Sequence, residues 1–131
     1  MVIVCDLGSW FEEAFSGVPC SPEARAYVVS VFKQYGLRND TDLSKRSVVL
    51  EYVEAVSRSD FETYRRLGDW VMWRTTVLPD KETFELEQTF GRLSYLACDR
   101  ILRKQWHLYE ELADEMPRIT LQASSVIKKK T

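Results

Sequence analysis

The feature that most constrains the fold is one long segment with a helical pattern near the end of the chain. Residues 81–116 contain no proline and a single glycine, Gly91, and their apolar side chains recur every three or four residues, as on one face of a helix. A straight helix of about 34 residues would be about 51 Å long, whereas a globular chain of this size has a diameter of about 35–40 Å. The segment therefore either breaks, at Gly91 or within residues 105–107, or projects toward a second molecule.

The residues that follow this segment are predicted to leave the helix. We expect Pro117 to end it, because an interior proline removes a backbone hydrogen bond. Side chains that alternate over residues 119–122 suggest a short extended piece. The lysine-rich residues 128–131 suggest a disordered basic tail, outside a single domain of residues 1–127.

Capping signals predict helices upstream of the long segment. A hydroxyl at Ser21, followed by a proline, favours a helix start, and Gly36 supplies a left-handed stop. Ser59 and Asp60 cap a later helix that should end before Pro79. Within that helix a glycine costs about 1 kcal/mol relative to alanine, so Gly68 indicates the close approach of another backbone or side chain.

A further helix is predicted over residues 43–57, where Val49, Val53 and Val56 lie on one stripe. Other apolar residues widen this stripe, so we expect the helix to be central in the bundle. Together these signals predict an all-α fold, a single bundle-like domain of four to five helices. Its last helix is long, and any break in it is expected at Gly91 or within residues 105–107.

Composition and charge exclude several classes of protein. Apolar residues make up 45% of the 131 residues, enough for one packed core. A net charge of -2 argues against a general nucleic-acid binder. Three cysteines and one histidine, with no paired spacing, favour neither a disulfide framework nor a zinc site. With no apolar run long enough to span a bilayer, we expect a cytoplasmic protein without a membrane partner or a cofactor.

The leading hypothesis for function is a non-enzymatic protein–protein interaction or adaptor module. Its excess helix length and its four tryptophans, a residue type enriched at binding hot spots, predict a homodimer formed through the long C-terminal helix. The predicted interface residues are Trp70, Trp73, Leu102, Trp106 and Tyr109.

Two alternatives remain open at this level. One is a small regulatory protein that binds nucleic acid or phosphate through a basic helix face, although the charge balance makes this the weaker hypothesis. That face consists of Arg92, Arg100, Arg103 and Lys104. The other is a ligand-binding or enzymatic domain with a pocket around Arg65, Asp69 and Trp73. Arg65 and Asp69 are four residues apart and can pair on a helix.

The sequence does not predict a metal site at its one histidine. His107 lies three, four and seven residues before the acids Glu110, Glu111 and Asp114, so the four side chains share one side of a helix. Helical di-metal sites need a second histidine and further carboxylates from other helices. The sequence therefore favours a solvent-exposed acidic surface at this position.

Overall fold

Side-chain caps define where the first helices begin. The computed structural model describes residues 12–13, 15–18, 20–36, 46–102 and 107–130. Helix α1 spans Pro22–Tyr35, and the Ser21 hydroxyl accepts a hydrogen bond from the backbone N–H of Ala24 at 3.1 Å. The helix ends at Gly36, whose φ of 66° is in the left-handed region. Both predicted signals are confirmed.

The next two helices begin at caps of the same kind. Helix α2 spans Val48–Arg58 and is capped by Ser47, and helix α3 spans Phe61–Val77. Asp60 caps α3 by accepting a hydrogen bond from the N–H of Thr63 at 2.8 Å. The predicted cap and the predicted end before Pro79 are therefore confirmed. The predicted start of α2 at residue 43 is too early, because Arg46 and Ser47 precede the helix, and residues 43–45 lie outside the described part of the chain.

The long C-terminal segment forms two helices of ordinary length. Helix α4 spans Phe84–Leu102 and helix α5 spans Leu108–Lys130. The break falls in the predicted region around residues 105–107, and residues 103–106 lie outside the described part of the chain. Because α4 and α5 pack against each other, the segment folds back on its own molecule, and helix length no longer argues for a second one.

The prediction that Pro117 ends this segment is wrong, because Pro117 lies inside α5. A proline has no N–H to donate to the carbonyl four residues earlier, which here belongs to Ala113. Arg92 on α4 supplies the missing donor, and its Nε donates to the Ala113 oxygen at 2.9 Å. A side chain from a neighbouring helix thus compensates for the backbone bond that proline removes.

The residues after Pro117 are helical as well, contrary to the expected extended piece and disordered tail. Ile119 and Thr120 are buried in the core, so residues 119–122 belong to a packed helical turn. The helix continues to Lys130, and basic residues are favourable at the negative end of a helix dipole. Tertiary packing in this region outweighs the local proline signal.

The described helices form an all-α bundle, as predicted, and α3 lies at its centre. Helix α3 packs against all four of the others, α1 lies over α3 and α5, and α2 lies over α3 and α4. None of the helices in the described ranges combines the length and apolarity needed to cross a bilayer.

Glycines allow α3 and α4 to approach closely, as Gly68 predicted. A Cβ atom at Gly68 would lie 2.6 Å from the Cε1 atom of Tyr95, and one at Gly91 would lie 2.6 Å from Cγ1 of Val71. Real Cβ contacts are not this short, and both neighbours are fully buried. The two glycines are therefore required where α3 and α4 meet.

The prediction that α2 is central is wrong. Only Val48 and Ala55 of this helix are buried, and most of its apolar side chains face outward. An apolar stripe predicts amphipathicity, but it does not determine how much of that stripe the rest of the chain covers. This difference supplies the candidate site described below.

Candidate functional site

The predicted pair of Arg65 and Asp69 forms, and it belongs to a larger buried cluster. The Asp69 side chain is 3% exposed, and its Oδ2 accepts a hydrogen bond from Nη1 of Arg65 at 3.0 Å. Its Oδ1 accepts from the hydroxyls of Tyr27 and Tyr95, both at 2.7 Å. Three donors from α1, α3 and α4 thus converge on one carboxylate, which satisfies a group that would otherwise be costly to bury.

Burial changes the proton affinities in this cluster. It raises the pKa of the Asp69 carboxyl above its usual range, against the opposing effect of the two tyrosine hydrogen bonds and the Arg65 charge. Burial and the neighbouring carboxylate also raise the pKa of Tyr27 and of Tyr95. The nearby Cys98 thiol has its pKa raised by burial to about 12. A thiol with such a pKa is a poor nucleophile at neutral pH.

Aromatic rings close the Asp69 cluster off from solvent. Tyr109 lies edge-on to Tyr27 and Phe61, with ring centroids 5.5 Å apart in each pair, and Tyr95 is fully buried. A cleft of about 610 Å³ between α2 and α3 is lined by other side chains and does not include Asp69. The arrangement therefore holds three helices together around a carboxylate that is 3% exposed.

The predicted interface residues lie mainly in the core. Trp73 is fully buried and its Nε1 donates to the Gly36 carbonyl at 2.8 Å. The buried ring of Trp70 lies 5.4 Å from the guanidinium carbon of Arg74. Tyr109 is buried and Leu102 is half-buried against the core, while Trp106 lies outside the described residues. These side chains therefore offer little area to a partner.

Only two of the four residues of the predicted basic face lie within the described part of the chain. Arg92 is engaged with the Ala113 carbonyl, and Arg100 is exposed on α4. Arg103 and Lys104 lie outside the described residues. The structure therefore does not bring these four residues together as one described anion site.

The residues of the acidic run at the start of α5 make different contacts. Glu111 accepts two hydrogen bonds from Ser21, one from the backbone N–H and one from the hydroxyl, each at 2.6 Å. It thus binds the positive end of the α1 dipole and links α5 to α1. Asp114 is exposed, while His107 meets Asp99 of α4, a residue that sequence spacing on one helix does not reveal.

The feature that sequence reasoning missed is an exposed apolar surface on α2. The exposed fractions are 37% for Val49, 71% for Leu50, 60% for Val53 and 46% for Val56. We call the three valines, which share one side of the helix, the α2 face, while Leu50 lies on its flank and lines the 610 Å³ cleft. Surface helices normally present charged side chains to solvent and apolar ones to the core, so this arrangement is the unusual one.

The charged side of α2 faces elsewhere. At about 100° per residue, the three charged residues of the helix fall opposite its three exposed valines. They are Glu51, Glu54 and Arg58, and all three line the 610 Å³ cleft between α2 and α3. Arg58 and Glu54 form an ion pair at 2.9 Å. Consequently the α2 face itself carries no charge.

The apolar surface continues from α2 onto α4. The Tyr52 ring contacts the Phe90 ring with centroids 4.7 Å apart, so the two helices meet at this pair. Leu86 and Leu93 lie four residues before and three residues after Phe90, on the same side of α4, and both are exposed. The α2 face and these two leucines therefore each lie within about one helical turn of the Tyr52–Phe90 contact.

Comparison of the chain with protein-family models, with curated proteins and with solved structures yields no match.

Proposed function

We propose that this protein is a non-enzymatic helical interaction module that pairs with a second copy of itself through the α2 face and the adjoining leucines of α4. The observation that carries the proposal is the exposure of three valines that share one uncharged side of a short helix. Contiguous apolar patches on soluble proteins commonly mark interaction sites. The proposed contact surface is therefore on α2 and α4 and not on the C-terminal helix. That helix folds back on its own molecule, so its length gives no reason to expect a partner there.

A second copy is the occupant that the charge distribution favours. In a twofold dimer the same patch meets itself, so any charge in the patch would face a like charge. The α2 face has none, because Glu51, Glu54 and Arg58 all lie on the cleft side. Two copies of α2 can therefore pack along their valines without electrostatic repulsion.

The energetics require the leucines of α4 as well. The three valines of the α2 face together expose about one and a half side chains per protomer, so their burial in both protomers would contribute about 4–9 kcal/mol at about 1.5–3 kcal/mol for each fully buried side chain. Association itself costs about 4–15 kcal/mol. The α2 face alone would therefore give at best a weak dimer, and burial of Leu86 and Leu93 is needed for a dimer that forms between micromolar and millimolar concentration.

A reducing, cytoplasmic setting is part of this proposal. Cys20 and Cys98 are both free thiols, and Cys98 is buried. Structural disulfides are common in oxidising compartments and rare in the cytosol. Unpaired cysteines in the core are consistent with that setting.

Sedimentation equilibrium tests the proposed dimer. We expect the wild-type mass to rise from monomer to dimer between micromolar and millimolar concentration. Val53→Glu places a charge in the centre of the face, so it should remain monomeric throughout. Leu121→Glu is the matched control, because Leu121 is an apolar residue on α5 that is 74% exposed, and it should dimerise like the wild type.

Two results would overturn the proposal. One is a wild-type protein that stays monomeric at millimolar concentration. The other is a Val53→Glu variant that dimerises with unchanged affinity while its circular dichroism remains native, which would place the contact elsewhere on the molecule.

A further inference from the structure

A second cluster of chemistry-bearing side chains lies where α4 gives way to α5. Asp99 is in the last turn of α4, His107 directly precedes α5, and Glu110 is in the first turn of α5. Each offers one ligand atom, and these atoms lie within 4.8 Å of one another. The reversal of the chain between the two helices creates this group from residues up to eleven positions apart.

The trio has the donor chemistry of a transition-metal site. Imidazole nitrogen and carboxylate oxygen are both ligand types that zinc and other divalent first-row metals bind, whereas calcium and magnesium prefer oxygen alone. Three protein ligands leave a coordination position for water. His107 and Glu110 are exposed and Asp99 is half-buried, so a dissolved ion has direct access.

The charge balance of the trio also favours a cation. Two carboxylates this close repel each other unless a positive charge lies between them. Among the described residues, neither Asp99 nor Glu110 forms an ion pair with a lysine or an arginine. The only described partner is His107, whose Nδ1 lies 3.0 Å and 3.2 Å from the two Asp99 carboxylate oxygens.

We propose that Asp99, His107 and Glu110 form a binding site for a divalent transition-metal ion of the zinc type, which links the end of α4 to the start of α5. The neighbouring acids do not belong to it. Glu111 is occupied by Ser21, and Asp114 is exposed one turn further along α5. The site is independent of the α2 face, so either proposal can fail alone.

Isothermal titration calorimetry with Zn²⁺, on protein first treated with a chelator, tests this site. We expect one ion per chain, and a Tm that is about 5 °C higher with saturating Zn²⁺. Co²⁺ should give visible absorption bands that show nitrogen and oxygen coordination. His107→Gln and Asp99→Asn should each lower the affinity at least about tenfold.

Asp114→Asn is the matched control, because it removes an exposed acid from the same run without touching the trio, and it should bind Zn²⁺ like the wild type. Circular dichroism of each variant separates lost binding from lost folding. The proposal is overturned by the absence of Zn²⁺ binding at submillimolar concentration. It is also overturned if folded His107→Gln protein binds Zn²⁺ as tightly as the wild type.

Discussion

At the scale of single residues, the most consequential side chain is Asp69. It is a carboxylate in the core of a bundle, and it is tolerated because Tyr27, Tyr95 and Arg65 each donate a hydrogen bond to it. These donors come from three helices, so one residue orients α1, α3 and α4 together. Removal of Asp69 costs more than its hydrogen bonds contribute, because three donors then lose their shared acceptor.

We predict that the stability provided by Asp69 decreases as pH rises. Burial raises the pKa of this carboxyl in the folded protein, so the folded state holds the proton more tightly than the unfolded state. Between the ordinary aspartate pKa and the raised one, the wild type should lose about 1.4 kcal/mol per pH unit relative to Asp69→Asn. Below that window the contribution is complete.

Urea denaturation of both proteins over a pH series measures this difference. Asp114→Asn, which removes an exposed acid, controls for the general effect of one fewer negative charge. The contrary result is a wild type that gains stability relative to Asp69→Asn as pH rises. In that case the three hydrogen bonds outweigh burial, and the pKa of Asp69 in the folded protein lies below its usual value.

At the scale of helices, α5 is unusual because it continues through a proline. An interior proline costs a helix about 3 kcal/mol, partly through the carbonyl that it leaves without a donor. Here Arg92 of α4 donates to that carbonyl, which belongs to Ala113. The stability of α5 therefore depends on a residue that is distant in sequence.

A double-mutant cycle tests this compensation. We predict that Arg92→Met destabilises the wild type by about 1–3 kcal/mol, measured by urea denaturation. In a Pro117→Ala background the same change should cost less than about 0.5 kcal/mol, because the backbone N–H at position 117 then binds the Ala113 carbonyl. Arg100→Met, at an exposed position on α4, is the control. Equal costs of Arg92→Met in both backgrounds would contradict the prediction.

At the scale of the whole molecule, α2 is the described helix that contributes the fewest residues to the core. It contributes Val48 and Ala55 to the core, while α3 contributes a nearly continuous series of buried residues. Helices that bury little apolar surface are the first to open locally. A partner that covers the α2 face would therefore add buried apolar surface to a helix that buries little of its own.

The link between association and stability can be measured as the dependence of Tm on protein concentration. If a second copy covers the α2 face, dimerisation stabilises the folded state, and the Tm should rise by several degrees from micromolar to millimolar protein. The Val53→Glu variant should show a Tm that is independent of concentration. A wild-type Tm that also stays constant would mean that folding and association are not linked.

Much of the local structure was predictable from the sequence. Ser21, Gly36 and Asp60 act within one turn of their own helix. Helix length compared with globule diameter limited the last segment to a break or a projecting end. The pairing of Arg65 with Asp69 follows from helical spacing. Each of these depends on interactions among near neighbours or on a geometric limit, and the sequence contains that information directly.

The remaining features were decided by contacts between residues far apart in the chain. Pro117 remains helical because Arg92 reaches it from another helix, and Asp99 joins His107 because the chain reverses between them. The outward orientation of the α2 face was undetermined for the same reason. Hydrophobic periodicity identifies which side chains share a side of a helix, and only the packed arrangement of all the helices determines which of those sides is covered.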